Sequence, residues 1–444
     1  MYCPSCGAEL PSNASFCSEC GLAFEKPSAK PVEKPAPTIA PRRSPPSQAT
    51  IATKTPSSPQ QAPATKPRKK AGKVFVSALL VLALVGAVFS VVTVITWGSY
   101  KGDTTFIYDP AVPSVADTWS FNVDVADLDI KYTTNPSAPE VQIDVHYDFA
   151  GGFLAGKTPA DLYSITWDNA SMIKVFSLNT RNWWSFPMFQ NNLVTITLKT
   201  GIIYNITASA STGFAYVAIA DNENLSCLSV SSSTGSARAS LGENVSVTGH
   251  VRVHASTGSA YFSMADGSTI GGLLEVSAST GSATIAVMSG ELAGGMSLKS
   301  STGSANLTLS GTRIGSDIAV DTSTGSASVS LTNIALAANI DLNVLVSTGS
   351  IRLTVDQATN PGGNITASIT TSTGSAFITY KGDDAFASAK FTTNIGSGSP
   401  HFTDLGGFTA SGTDFQSINQ LMPSRFDARV DTGTGSVYIT GQMI

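Results

Sequence analysis

From about residue 201 onward, apolar and polar positions alternate in short runs that return at a nearly constant interval. Ala283, Ile285 and Val287 form one such run, followed by Ala305, Leu307 and Leu309, then Ala327, Val329 and Leu331, then Ile351, Leu353 and Val355. Thr284, Asn306 and Thr308, Ser328 and Ser330, and Arg352 and Thr354 lie between them. A period of two predicts strands with one buried face. A second set of runs alternates just upstream: Val251, Val253 and Ala255; Leu274, Val276 and Ala278; Leu342, Val344 and Val346.

The two sets are joined by the pentapeptide Ser-Thr-Gly-Ser-Ala or a close variant. Its glycine falls at Gly213, Gly235, Gly258, Gly281, Gly303, Gly325, Gly349 and Gly374, with degenerate copies read at Gly396 and Gly435. The steps are 22, 23, 23, 22, 22, 24, 25, 22 and 39 residues. A fixed period of this size predicts stacked supersecondary units, each made of strand, corner, strand and a variable connection. Glycine suits a corner that needs positive φ. The Ser and Thr hydroxyls are expected to bond backbone groups left open by the corner, and the small alanine is expected to face the interior.

A rung of 22–25 residues is too short for a strand–helix–strand unit, which needs about 30. The expected fold is therefore mainly β: a β-solenoid about 45–50 Å long if ten rungs stack at about 4.8 Å, with an antiparallel sandwich of hairpins as the alternative. Residues 98–200 also alternate, as in Val141–Val145 and Leu193–Leu198, and contain Trp119, Trp167, Trp183 and Trp184. They are read as an irregular β cap and first rungs, ahead of repeats spanning 201–444, since a terminal repeat must shield an open end.

Charge and hydropathy add a second feature. Charged residues make up 13% of the chain and the net charge is −5. That figure hides an asymmetry: residues 25–73 hold 11 Lys/Arg and 2 acids, residues 101–444 hold 15 and 27. Between them, Val74 to Trp97 is a run of 24 residues without a charge. As a helix it would be about 36 Å long, enough to cross a bilayer core of roughly 30 Å. Residues 74–97 are therefore the expected transmembrane helix. Lys66, Arg68, Lys69, Lys70 and Lys73 on one side, against Lys101 on the other, predict a cytoplasmic N-terminus and an outer 98–444. The same basic cluster is a candidate contact for anionic membrane lipid. Residues 25–73, rich in Pro, Ala, Ser, Thr and Lys, read as a disordered tether.

Residues 1–24 carry the only metal-ligating pattern. Cys3-Pro-Ser-Cys6 and Cys17-Ser-Glu-Cys20 are separated by ten residues and each is followed by glycine. Four such thiolates fit one tetrahedral Zn²⁺ with no open position, hence a structural metal; disulfides are disfavoured on a cytoplasmic side. The segment from Tyr2 to Gly21 resembles the short zinc ribbons at the ends of many prokaryotic, notably archaeal, membrane proteins. That resemblance implies an interaction module for a cytoplasmic protein. The ribbon holds Glu9 and Glu19 and no Lys or Arg, so nucleic acid is not an expected partner. Cys227 stands apart, at the repeat position of Leu273.

The outer region resembles the adhesin-type β-solenoid domains of prokaryotes. The resemblance rests on Leu193–Gly201, Ile206–Gly213 and the repeated Ser-Thr-Gly-Ser-Ala, and covers most of residues 115–444. It implies the fold and, at the level of fold, attachment to an extracellular glycan or protein. Ser or Phe follows the glycine here where Asp or another small polar residue is common in that family, which weakens any expectation of carboxylate-lined corners. No facing pair of acids recurs, so no enzyme is expected. A candidate ligand face combines His250, Arg252 and His254, alternating on one strand, with Arg238 and Tyr261 on neighbouring strands. Candidate glycosylation sequons begin at Asn169, Asn205, Asn224, Asn244, Asn306 and Asn364. The sequence thus predicts a single-pass membrane protein that displays a surface-attachment domain, or alternatively a transmembrane scaffold or sensor that recruits a partner through its ribbon, with a carbohydrate-active solenoid enzyme as the least favoured reading.

Overall fold

The computed structural model describes residues 97–151, 154–181, 187–189 and 191–444, with Val85, Ala87, Val88, Ser90 and Val91 before them. The four N-terminal cysteines, the tether, most of the Val74–Trp97 run and the Trp183–Trp184 pair lie outside the described residues. Those five upstream residues are helical with exposed side chains. Among the described residues no helix is long and apolar enough to cross a membrane.

The described chain is mainly β, and each repeat divides its two strands between two sheets. Strands that follow the corner glycine, such as Ala283–Met288 and Ala305–Ser310, pair in parallel and in register to form sheet I. Strands that precede it, such as Leu274–Thr280 and Met296–Thr302, do the same in sheet II. Consecutive strands therefore never pair within a repeat, and the hairpin sandwich is excluded for this region. The predicted alternation decides which side is buried. Ile285, Leu307, Val329 and Leu353 are all at most 1% exposed, as are Val276, Leu298, Val320 and Val344 across from them. Each fully buried side chain of this size stabilises the fold by roughly 1.5–3 kcal/mol.

The corner glycines do more than turn the chain. Gly258, Gly303, Gly349 and Gly374 have φ of +121°, +133°, +139° and +141°, a region costly for any residue with a Cβ. A Cβ on Gly349 would also overlap the carbonyl oxygen of Gly325 one rung below. The corner backbone is satisfied by its neighbour: the Gly303 N–H donates to Thr324 O at 2.9 Å and Ala305 N–H to Ser326 O at 3.0 Å. The serine just after the glycine bonds corner backbone as expected: Ser236 Oγ accepts from the Ser259 N–H and Ser375 Oγ from the Ser436 N–H, each at 3.2 Å. The Ser and Thr just before the glycine, such as Ser301 and Thr302, are exposed. Further bonds to the corner come from the buried position three before it, where Ser232 Oγ donates to Gly213 O at 2.8 Å and Ser300 Oγ to Gly281 O at 3.0 Å. The alanine two after the glycine is buried as expected, at 0–1% in Ala215, Ala237, Ala260, Ala283, Ala305 and Ala327.

The connections between rungs are more regular than the sequence suggests. Two-residue strands Ser246–Val247, Thr269–Ile270, Glu291–Leu292, Arg313–Ile314 and Ala335–Leu336 form a third parallel ladder. Each sends one apolar side chain inward. A column of left-handed residues precedes it: Asn222, Asn244, Gly267, Ser289, Gly311 and Asn333, with φ between +47° and +72°. Asparagine, serine and glycine share this position, which hides the column from a search for glycine.

Both ends of the stack are built out of chain order. Sheet I runs Gly98–Tyr108, Val141–Gly151, Leu193–Lys199, Asp127–Thr133 and only then Ala215–Ile219. The first of these contacts are antiparallel. At the other end Val437–Met443 is inserted between Ala376–Gly382 and Pro400–Asp404. In sheet II, Ser424–Thr434 lies between Ile365–Thr373 and Ala387–Ser397. The 39-residue step arises here: the excursion builds the outermost rung before the chain returns to fill the one beneath. The corner of that outer rung is Gly398 (φ +140°), stacked on Gly435, and not Gly396 as the repeat count proposes. Aromatic side chains close both ends. Trp119 stacks on Phe121 with centroids 5.4 Å apart at one end, and Phe402 stacks on Phe415 at 5.2 Å at the other.

Candidate binding faces

The five residues of the predicted ligand face do not come together. Arg238 and Tyr261 project from sheet I, on Ala237–Leu241 and Ala260–Met264, whereas Arg252 and His254 project from Val251–Thr257 in sheet II. The corner at Gly258 separates them. His250 departs further: it is 7% exposed, and its Nδ1 lies 3.5 Å from Cys227 Sγ. The strand begins at Val251, and the ladder beside Cys227 is irregular, so the outward phase of Arg252 and His254 does not extend back to residue 250. Burial, followed by the charge of Arg252, holds the His250 imidazole below its usual pKa, with Glu275 opposing.

The outward members are engaged with their neighbours. Arg252 Nε donates to Glu275 Oε2 at 2.9 Å, and His254 Nδ1 lies 2.9 Å from Ser277 Oγ. On sheet I, the Arg238 guanidinium sits between two rings, 5.6 Å from the Tyr216 centroid and 4.6 Å from that of Tyr261. Such cation–π contacts are worth about 0.5–1 kcal/mol when exposed.

The same outward column, three residues after each corner glycine, holds a second group that the sequence reading passed over. Arg352 lies 5.8 Å from the Phe377 centroid, Phe377 stacks on Tyr438 at 5.0 Å, and Tyr438 stacks on His401 at 4.7 Å. Phe377 and Tyr438 are 37% and 40% exposed. Reading the third position after each glycine finds Arg352, Phe377 and Tyr438; the place of His401 beyond Tyr438 follows only from the inserted rung. Stacked in this way, the rings turn their edges outward, and the edge strand Pro400–Asp404 leaves one face of the His401 ring uncovered.

The sequons differ in access. Asn169, Asn224, Asn244 and Asn364 are exposed and Asn306 is half-buried on an outward position. Asn205 is 7% exposed within Ile203–Thr212, and packing leaves no room for a glycan there. Cys227 is buried. Among the described residues no group of three His, Cys, Asp or Glu side chains is placed to hold a metal.

Residues 2–23 match the zinc-ribbon domain family. The match contains Cys3, Cys6, Cys17 and Cys20, and identifies the N-terminal segment as a zinc-ribbon domain. No curated protein matches the chain. Three solved structures are similar over most of it. One is described as a "putative cell adhesion protein" from Clostridium sporogenes, with 10% identity, TM-score 0.18, and coverage of 77% of this chain and 100% of that one. Two come from Parabacteroides distasonis. A "putative lipid binding protein" has 11% identity, TM-score 0.33 and coverage of 77% and 96%; a "putative adhesin" has 12% identity, TM-score 0.22 and coverage of 76% and 97%.

Proposed function

We propose that this chain is a membrane-anchored surface-attachment protein. In this reading, residues 98–444 form a β-solenoid outside the cell, residues 74–97 form the anchor, and the ribbon coordinates one structural Zn²⁺ through Cys3, Cys6, Cys17 and Cys20 inside. The observation that carries the reading is the stack of parallel in-register rungs, whose apolar side chains are used up in its own core while two long polar faces remain available to partners. The uncharged run between a basic tether and an acid-rich outer region supports the anchor and its orientation. No catalytic role is assigned. The partner proposed is an extracellular glycan or protein; the basic segment before the anchor contacts anionic lipid.

Protease added to intact cells tests this. Cleavage should remove epitopes in residues 98–444 and spare residues 1–73, and deletion of residues 98–444 should abolish attachment to a glycan-coated surface. Protection of residues 98–444 until lysis would overturn the topology. The zinc-ribbon match favours a second reading, in which the ribbon recruits a cytoplasmic protein. Zinc-dependent capture of a defined partner by the full chain, lost on Cys3→Ser, would support it.

A further inference from the structure

Near the C-terminal end, the outer face of sheet II is hollowed into a groove of about 350 Å³, within the range of small-ligand sites. Its side chains are Thr366, Lys390, Thr392, Arg425, Asp427 and Arg429. The inserted rung creates it. Ser424–Thr434 places Asp427 between Thr366 and Lys390, and Arg429 between Ser368 and Thr392, side chains drawn from three distant parts of the chain. Arg425, Asp427, Arg429 and Asp431 alternate outward along one strand.

The cations are already oriented. Arg425 Nε donates to Asp427 Oδ1 at 2.8 Å, Arg429 Nε donates to Asp431 Oδ2 at 2.9 Å, and Lys390 Nζ lies 3.3 Å from Asp414 Oδ2. Each arginine thus commits its Nε to a carboxylate two residues on, while its terminal nitrogens have no partner among the described residues. Asp427 and Asp431 each accept an arginine Nε, and Asp414 lies against the Lys390 ammonium. What remains open in the groove is mainly donors: the terminal guanidinium N–H groups and the remaining ammonium protons of Lys390. A ligand that satisfies them must be rich in acceptors, and the guanidinium fork favours a planar carboxylate. Four residues of strand separate the arginines, about 13 Å, with Lys390 beside the midpoint. One small anion cannot span that distance; an extended chain with repeated acidic groups can.

We propose that this groove binds an acidic polysaccharide, with uronate carboxylates on Arg425 and Arg429 and ring hydroxyls on Thr366, Thr392 and Asp427. The inference deepens the attachment reading above and rests on it. The lining has no aromatic ring on which a base could stack, which favours glycan over nucleic acid, and the poly-glutamate peptide below tests the acidic-peptide alternative.

The test is titration of the full chain in detergent micelles with tetragalacturonate at low and physiological salt. Neutral maltotetraose, a poly-glutamate peptide and single-stranded DNA serve as comparison ligands. Tetragalacturonate should bind, weaken with salt, and lose about tenfold or more in affinity in the Arg425→Gln/Arg429→Gln double variant. Arg313→Gln, on the ladder of two-residue strands, should bind as the wild type does. Both groove arginines are largely exposed, so the double variant should keep its melting temperature; if it does not, Arg429→Lys, which keeps the charge and loses the fork, should still weaken binding. No binding by the wild type, equal binding by the double variant, or equal or tighter binding of the peptide or DNA would overturn the proposal. The attachment reading fails separately: attachment that survives deletion of residues 98–444 overturns it, whereas attachment lost on that deletion but kept by the double variant leaves it standing and removes the groove from adhesion.

Discussion

The middle of the stack and its two ends solve one burial problem by opposite means. In the middle, each rung is covered by a near-copy of itself, so small residues suffice: alanine after the corner, serine or threonine before it, and backbone bonds from one rung to the next. At the ends there is no next copy. The chain there departs from sequential order, pairs strands antiparallel and brings in large rings, with Trp119, Phe121 and Phe176 at one end and Tyr380, Phe391 and Phe415 at the other. Repetition can extend a stack but cannot terminate it, because every copy of a rung presents the open surface that the next one must cover.

The sharpest test of this difference is Phe391→Ala. Phe391 is fully buried and packs against Tyr380, Phe415 and Phe426. Its loss should cost roughly 3–5 kcal/mol, confined to one end if rungs couple mainly to their neighbours. Hydrogen exchange should show loss of protection in Ala387–Ser397 and Ser424–Thr434, with the rungs from Gly213 to Gly325 unchanged. Uniform loss along the whole stack would break the distinction between ends and middle.

Next in size is the corner. Gly349→Ala combines a positive φ with overlap onto the Gly325 carbonyl. Gly201 also has positive φ, +84°, but a Cβ there meets nothing within 4 Å. Gly201→Ala should cost about 1 kcal/mol, for backbone strain alone, and Gly349→Ala about 3 kcal/mol, the difference being displacement of the rung below. Urea unfolding of the two variants separates the terms. Equal costs would mean that the corner glycine serves only to turn the chain.

The same contrast governs what could be read from the sequence. The rungs were legible because a repeated pattern averages over its copies: alternation gave the buried faces, and eight glycines gave the corner. The third ladder was missed because two residues are too few to show a period, and its left-handed turn accepts Asn244, Ser289 or Gly311 alike. The ends were not legible because spatial order ceases to be chain order, so nothing local to Gly396, Gly398 or Gly435 tells which rung covers which. The proposed face failed for a related reason. Residues close in sequence and of suitable chemistry, such as Arg252 and Tyr261, were assumed to share a surface, although a corner lies between them. The C-terminal groove draws on residues about 60 positions apart that only the insertion unites.

The smallest expected effect tests a single departure inside the regular middle. In register, Leu228, Val251 and Leu274 follow one another up the stack, so the positions just before them are Cys227, His250 and Leu273. Only here does a buried imidazole stand in the column. Because its folded pKa is depressed by burial, the unfolded chain binds the proton more readily. Stability from the neutral imidazole is present at and above pH 6.5, the ordinary histidine value, and is lost as the pH falls below it. His250→Leu installs the side chain the next rung already uses and removes the titrating group. The wild type should therefore lose stability on acidification through this window relative to the variant, as read by urea midpoints from pH 8 to pH 5. Parallel curves for the two proteins would show that His250 is as indifferent to pH as the leucine above it, and that the middle of the stack carries no titrating irregularity at this position.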